Sequence, residues 1–175
     1  ASPYHEVYPV ESPDGELTPS LGALQPGESL LVQSQATGFL TLDELPPGRD
    51  LWLLSTGTAI GPFLAMLAEG EVFERFENLV LVHGVRKGEE LTYQGLITSL
   101  VEQYGHDALP GRIPAAIASG ELQARVGLAF SAEHSQVMIC GNPAMVKETQ
   151  QTLLGLGLAK NLRRAPGNIS MENYW

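Results

Sequence analysis

Three short apolar runs constrain this chain more than anything else in it. They are Leu51-Trp52-Leu53-Leu54, Leu79-Val80-Leu81-Val82 and the centre of residues 136–140, Q-V-M-I-C. None shows the in–out alternation of a strand with one wet face, so each reads as a strand covered on both sides. Each is followed by a turn and then a helix-like stretch. Pro62 to Phe76 reads as a helix broken near Gly70. From Glu89 to Tyr104, Tyr93, Ile97, Leu100, Val101 and Tyr104 share one helical face. Pro143 to Leu156 repeats the pattern with Met145, Thr149, Leu153 and Leu156. Strand and helix in alternation predict a parallel α/β sheet.

The first 48 residues have a different texture. Residues 6–13 alternate apolar and polar around Pro9, Asp14-Gly15 and Pro26-Gly27 are turns, and Glu28 to Gln33 reads as a strand. Thr18-Pro19 can open a short helix as N-cap and first helical residue. Strand and turn in this order predict part of a small antiparallel sheet or barrel. The domain boundary is placed at Pro46-Pro47-Gly48, giving domains 1–48 and 49–175. The alternation also lacks one strand: after Tyr104 comes the loop Gly105-His106-Asp107-Ala108-Leu109-Pro110-Gly111.

Composition removes several functional classes. A net charge of −10 and a pI near 4.7 repel nucleic-acid phosphates, so no nucleic-acid partner is expected. No apolar run approaches the roughly 20 residues of a membrane span. A single cysteine, Cys140, permits no intrachain disulfide, and a cytoplasmic location is the simple reading. One Cys and four scattered His give no metal-ligand spacing. G-x-S-x-G and G-x-x-x-x-G-K-[ST] are both absent, which sets aside a nucleophile elbow and a P-loop.

In a parallel sheet, ligands sit beyond the carboxyl ends of the strands. The first end is S-T-G-T-A-I-G-P-F, residues 55–63, where small residues let backbone N–H groups approach an anion and Thr58 adds a hydroxyl. The second is His83-Gly84-Val85-Arg86, with Arg86 where an adenosine 2′-phosphate could be gripped. The third is Cys140-Gly141-Asn142-Pro143, where Asn142 can cap a helix that Pro143 begins. Taken singly, the glycine turn fits plain turn geometry as well as a ligand. Alone, Arg86 reads more readily as a solvated charge, Cys140 as a small buried hydrophobe, and Asn142 as a simple cap.

Taken together, these stretches resemble the bacterial-type ferredoxin/flavodoxin–NADP⁺ reductases. The resemblance is carried by D-G-E-L-T-P-S-L (14–21), L-W-L-L-S-T-G-T-A-I-G-P-F (51–63), N-L-V-L-V-H-G-V-R (78–86), G-R-I-P (111–114), V-M-I-C-G-N-P-A-M-V (137–146) and the final Glu172-Asn173-Tyr174-Trp175. It spans essentially the whole chain. It implies part of an antiparallel FAD-binding β-barrel followed by a parallel α/β NADP(H)-binding domain. The implied activity is hydride transfer between NADP(H) and FAD, with single electrons exchanged with ferredoxin or flavodoxin.

By the same resemblance, FAD is expected against Tyr8, Val10, Glu16, Leu17, Thr18, Tyr174 and Trp175, with Thr58 between flavin and nucleotide. Val85, Arg86 and Arg112 are expected at the 2′-phosphate end of NADP. Asn142, Pro143, Ala144, Met145 and Glu148 are expected at its nicotinamide half. Cys140, with Thr58, is expected at the hydride-transfer contact. Lys160, Arg163 and Arg164 suit an acidic partner or a solvated helix end, and a monomer is expected. The family's Arg-x-Tyr-Ser motif falls before Ala1, and a Ser-Arg pair falls in the strand missing after Tyr104; both pieces are expected in the natural protein. Two other readings keep parts of this picture: a reductase module of the same fold serving an oxygenase or cytochrome, and a non-catalytic nucleotide-binding fragment.

Overall fold

The computed structural model describes residues 18–31, 38–88, 93, 95–99 and 108–173. It divides into two compact units, residues 1–37 and 38–175. In the first, the described residues form one short helix, α1 (Thr18–Gly22), followed by turns. That helix begins where Thr18-Pro19 predicts it. The expected strand at 6–13 lies outside the described residues, and residues 28–31 carry no strand and are exposed.

The second unit is built on four parallel strands: β1 (Asp50–Thr56), β2 (Asn78–Gly84), β3 (Ser135–Gly141) and β4 (Ile169–Asn173), in the spatial order β2-β1-β3-β4. The helices between them are α2 (Gly61–Glu69), α3 (Glu71–Arg75), α4 (Ile113–Ala118), α5 (Glu121–Val126) and α6 (Pro143–Gly155). Residues 95–99 are also helical. All three predicted strands are present, and the predicted helix from Pro62 is interrupted at Gly70.

Side chains on the central strands alternate between two cores, as the two-residue period of a strand requires. Leu51, Leu53, Met138 and Cys140 face one cluster with Phe63, Leu64 and Leu67 of α2 and Val72 of α3. Trp52, Leu54, Val137 and Ile139 face the other, with Ile117 of α4, Leu122 of α5 and Val146 and Leu153 of α6. Trp52 stacks on Phe130 with ring centroids 4.1 Å apart. Two covered faces explain why these strands read as unbroken apolar runs. Leu40, Leu42 and Leu45 belong to the first cluster, so residues 38–48 are part of the α/β unit.

Two features depart from the sequence reading. β4 was not expected, because Ile169-Ser170-Met171-Glu172-Asn173 has no apolar run. It forms by pairing with β3, Val137 opposite Ile169 through Gly141 opposite Asn173. The second difference is β2, expected to be covered on both faces. It stands at the end of the sheet, and all seven of its residues are only half-buried. Among the described residues, no strand pairs with its outer edge. The missing strand expected after Tyr104 would follow a segment, 100–107, that lies outside the described residues.

Candidate functional site

Three strand ends meet at the carboxyl side of the sheet, and the backbone stitches them together. β1 ends at Thr56, and Gly57 then takes φ 57°, a left-handed value that glycine adopts without Cβ strain, to enter the turn Gly57–Ile60. Thr56 Oγ1 accepts a hydrogen bond from the Asn142 backbone N–H at 3.1 Å, tying the β1 end to the β3 end. Gly141, at φ 138°, passes so close to Thr56 that a Cβ would run into Thr56 Oγ1 and sit 3.1 Å from the Thr56 nitrogen. Only glycine permits that approach. On the other side, His83 Nε2 lies 2.7 Å from the Gly57 carbonyl oxygen, tying the β2 end to the same loop.

The register puts His83, Ser55 and Cys140 side by side on adjacent strands. Burial holds the His83 imidazole below its ordinary pKa, against the opposing pull of the Gly57 bond. The ring is therefore neutral at pH 7, and its Nε2–H is the donor to Gly57. Its Nδ1 is buried with no hydrogen-bond partner, and so is Thr58 Oγ1. Cys140 is 1% exposed within the core, and burial, with the nearby Glu172 charge, pushes its thiol up to about 11. It stays a neutral thiol at pH 7 and is a poor nucleophile there.

Above these ends opens a cavity of about 530 Å³. Thr56 and Gly57 form its β1 side, Gly84, Val85 and Arg86 its β2 side, and Asn142 and Met145 its β3 side. Gly111 and Arg112 close it from the loop before α4, with Ile113 and Pro114 behind them. Two guanidinium-bearing residues thus share one cavity with apolar walls, an arrangement suited to a flat ligand carrying phosphate.

Of the residues expected to hold NADP, Val85, Arg86, Arg112, Asn142 and Met145 line the cavity. Thr58, Pro143, Ala144 and Glu148 do not, and neither does Cys140. Asn142 is the expected cap: its Oδ1 accepts from the N–H groups of Ala144 at 2.9 Å and Met145 at 3.3 Å. Those donors at the start of α6 are therefore already engaged. Glu148 instead reaches Arg112, with Oε2 2.8 Å from Nη2. Tyr8, Val10, Glu16, Leu17, Tyr174 and Trp175 lie outside the described residues, as does the side chain of Thr18.

The sequence reading missed Thr56 and His83. Thr56 stands in the same Ser-Thr-Gly-Thr run, and the strand period was the available signal: Thr56 follows Ser55 onto the opposite face. His83 stands in the quoted His83-Gly84-Val85-Arg86 strand end, and its link to Gly57 needs the parallel pairing to be seen. Lys160, Arg163 and Arg164 lie beyond α6, not at a helix end. Leu162 and Ala165 exchange backbone hydrogen bonds of 3.0 and 2.9 Å, which places Arg163 and Arg164 at the tip of a tight turn. Asn161 anchors that turn through the Glu44 carbonyl and the Ser170 hydroxyl.

Among the described residues, no group of three or more His, Cys, Asp or Glu side chains is placed to hold a metal. No described helix is long and apolar enough to cross a membrane.

Residues 53–151 match the oxidoreductase NAD-binding domain family. The chain is 46% identical to the flavodoxin/ferredoxin–NADP reductase of Escherichia coli strain K12, covering 99% of this chain and 76% of that protein. It is 36% identical to the ferredoxin–NADP reductase of Pseudomonas aeruginosa, covering 95% and 73%. The match to the first relative runs over 189 residues against a chain of 175, so that relative carries residues within the matched span that this chain lacks. A crystal structure of a ferredoxin NADP⁺ reductase from Neisseria gonorrhoeae, with bound FAD and NADP, superposes with a TM-score of 0.83 at 35% identity, covering 93% of this chain and 71% of that one. With two arginines in one cavity at the strand ends and these relatives along nearly its whole length, the chain belongs to the flavodoxin/ferredoxin–NADP reductase family.

Proposed function

We propose that this protein is an FAD-dependent oxidoreductase that passes a hydride between NADP(H) and FAD, and single electrons between FAD and ferredoxin or flavodoxin. The observation that carries this reading is the cavity at the carboxyl ends of β1, β2 and β3, where Arg86 and Arg112 face an apolar wall. Arg86 and Arg112 hold the adenosine 2′-phosphate, and Asn142 and Met145 border the nicotinamide side.

The flavin, when bound, supplies the interchange between two-electron and one-electron carriers. Tyr8, Val10, Glu16, Leu17 and Thr18 would hold it, and Tyr174 and Trp175 would cover it. The chain's own contribution to the transfer is position. The Thr56–Asn142 and His83–Gly57 bonds fix the two loops between which the nicotinamide would lie. Cys140, neutral and packed beneath those loops, contributes shape and not charge. The exposed tip at Arg163 and Arg164, with Lys160 beside it, is the docking point for an acidic electron-transfer protein. We place the protein in the cytoplasm as a monomer.

The test is anaerobic reduction of the flavin-loaded protein, followed by its absorbance. NADPH bleaches the flavin, and NADH does so with lower affinity. Arg86→Ala raises KM for NADPH about tenfold and leaves KM for NADH nearly unchanged. A wild type that uses both nucleotides equally would remove the phosphate assignment. Electron transfer to an acidic partner slows as salt rises, and a rate indifferent to salt would remove the docking assignment.

A further inference from the structure

Glu148 was expected at the nicotinamide half of the nucleotide, yet its carboxylate lies on Arg112, 2.8 Å from Nη2. Arg112 lines the cavity and Glu148 does not. Glu148 projects from α6 one turn beyond Met145, which lines the same cavity. Both members of the pair are open to water, Arg112 at 66% and Glu148 at 43%, so an incoming anion can reach the guanidinium. A carboxylate oxygen in this position offers Arg112 the same anionic acceptor that a phosphate oxygen would.

We infer that Glu148 is a specificity-determining residue: its carboxylate occupies Arg112 in place of a nucleotide phosphate and so limits the advantage of phosphorylated over unphosphorylated dinucleotide. The inference rests on the proposed role of Arg112. A phosphate dianion must either displace Glu148 from Arg112 or sit beside it. The first loses an ion pair, and the second places like charges together. A ligand without the 2′-phosphate meets neither cost. Glu148 acts through Arg112 and touches no reacting atom, so it is a positioning residue and not a catalytic one.

The experiment is an equilibrium titration of wild type and Glu148→Gln with 2′,5′-ADP and with 5′-AMP, at low and at high salt. The substitution lies at an exposed site and keeps the helix, because Gln and Glu have similar helix propensity. In Glu148→Gln, 2′,5′-ADP binds about two- to fivefold tighter at low salt, the scale of an exposed ion pair. 5′-AMP binding does not change, and the gain shrinks at high salt. A structural role for Glu148 would move both ligands together, so an equal change for both overturns the inference. So does weaker or unchanged binding of 2′,5′-ADP. A wild type that binds 5′-AMP as well as 2′,5′-ADP overturns the phosphate role of Arg112 itself, which separates failure of the reading from failure of the inference.

Discussion

The sheet treats its two ends differently. At the amino ends of the strands, Asp50 is fully buried, and its carboxylate takes two hydrogen bonds from Arg49, each 2.8 Å, and one from Asn78 at 2.7 Å. Asn168 closes the same end: it donates to the Ala132 and Ser135 carbonyls and accepts from the Ala159 N–H. At the carboxyl ends, His83 Nδ1 and Thr58 Oγ1 are buried and unpartnered, and two glycines sit at positive φ. The amino end also keeps one buried oxygen unpartnered, Gln136 Oε1, but the charge there is fully paired, and a paired buried charge holds a fold together; at the carboxyl end the cavity lies open to a ligand. The difference assigns stability to one end and function to the other, and each assignment can be broken.

The largest expected effect is at the satisfied end. Asp50→Ala destabilises the protein by about 2 kcal/mol, less than a fully buried pair would cost, because the Arg49 side chain is 41% exposed. Urea unfolding measures it, and nucleotide affinity stays within twofold. A large loss of affinity without a loss of stability would invert the assignment. Gly141→Ala comes next, at about 1–2 kcal/mol, because the new Cβ meets Thr56 at a backbone angle that favours glycine. This variant also loses nucleotide affinity, since the Thr56–Asn142 link must shift.

Thr58→Val should separate the two ends most cleanly. Replacing an unpartnered buried hydroxyl by a methyl raises stability by about 1 kcal/mol while slowing flavin reduction by NADPH. A destabilised Thr58→Val would mean that the hydroxyl has a partner in solution.

The smallest effect is a pH arm. The His83 pKa is lowered from 6.5 in the folded protein, so the unfolded chain takes up the proton first as pH falls. His83 therefore contributes stability that is present above about 6.5 and is lost as pH falls through the folded value. His83→Gln flattens that arm in thermal unfolding measured from pH 7 to pH 5. Asp50, with its pKa lowered from 3.8 chiefly by the Arg49 hydrogen bond, acts in the same direction at lower pH, so the two arms are distinguishable.

Much of this arrangement is legible in the sequence because it depends on local pattern. Leu51–Leu54 and Leu79–Val82 announce strands by composition, and Asn142-Pro143 announces a capped helix by chemistry. Arg86 and Asn142 meet in one cavity because the strand-end rule places them there, and Arg112, expected there by the resemblance alone, joins them from the loop before α4. What escapes the sequence is decided between distant residues. β4 has no apolar run of its own and exists by pairing with β3. The half-burial of β2 follows from its place in the sheet, which its Leu-Val-Leu-Val cannot disclose. Glu148 lies on Arg112, 36 residues before it in the chain, and no spacing rule links the two.

Cys140 gives the molecule a clock. It is the single thiol in the chain, and it lies directly beneath the loops that the Thr56 and His83 bonds hold shut. A thiol reagent can reach it only when that end of the sheet comes apart, so the labelling rate of the unaltered protein reports how often it does. No probe needs to be introduced. Bound nucleotide should lengthen the interval between openings, and each variant above should reset it by an amount that can be timed.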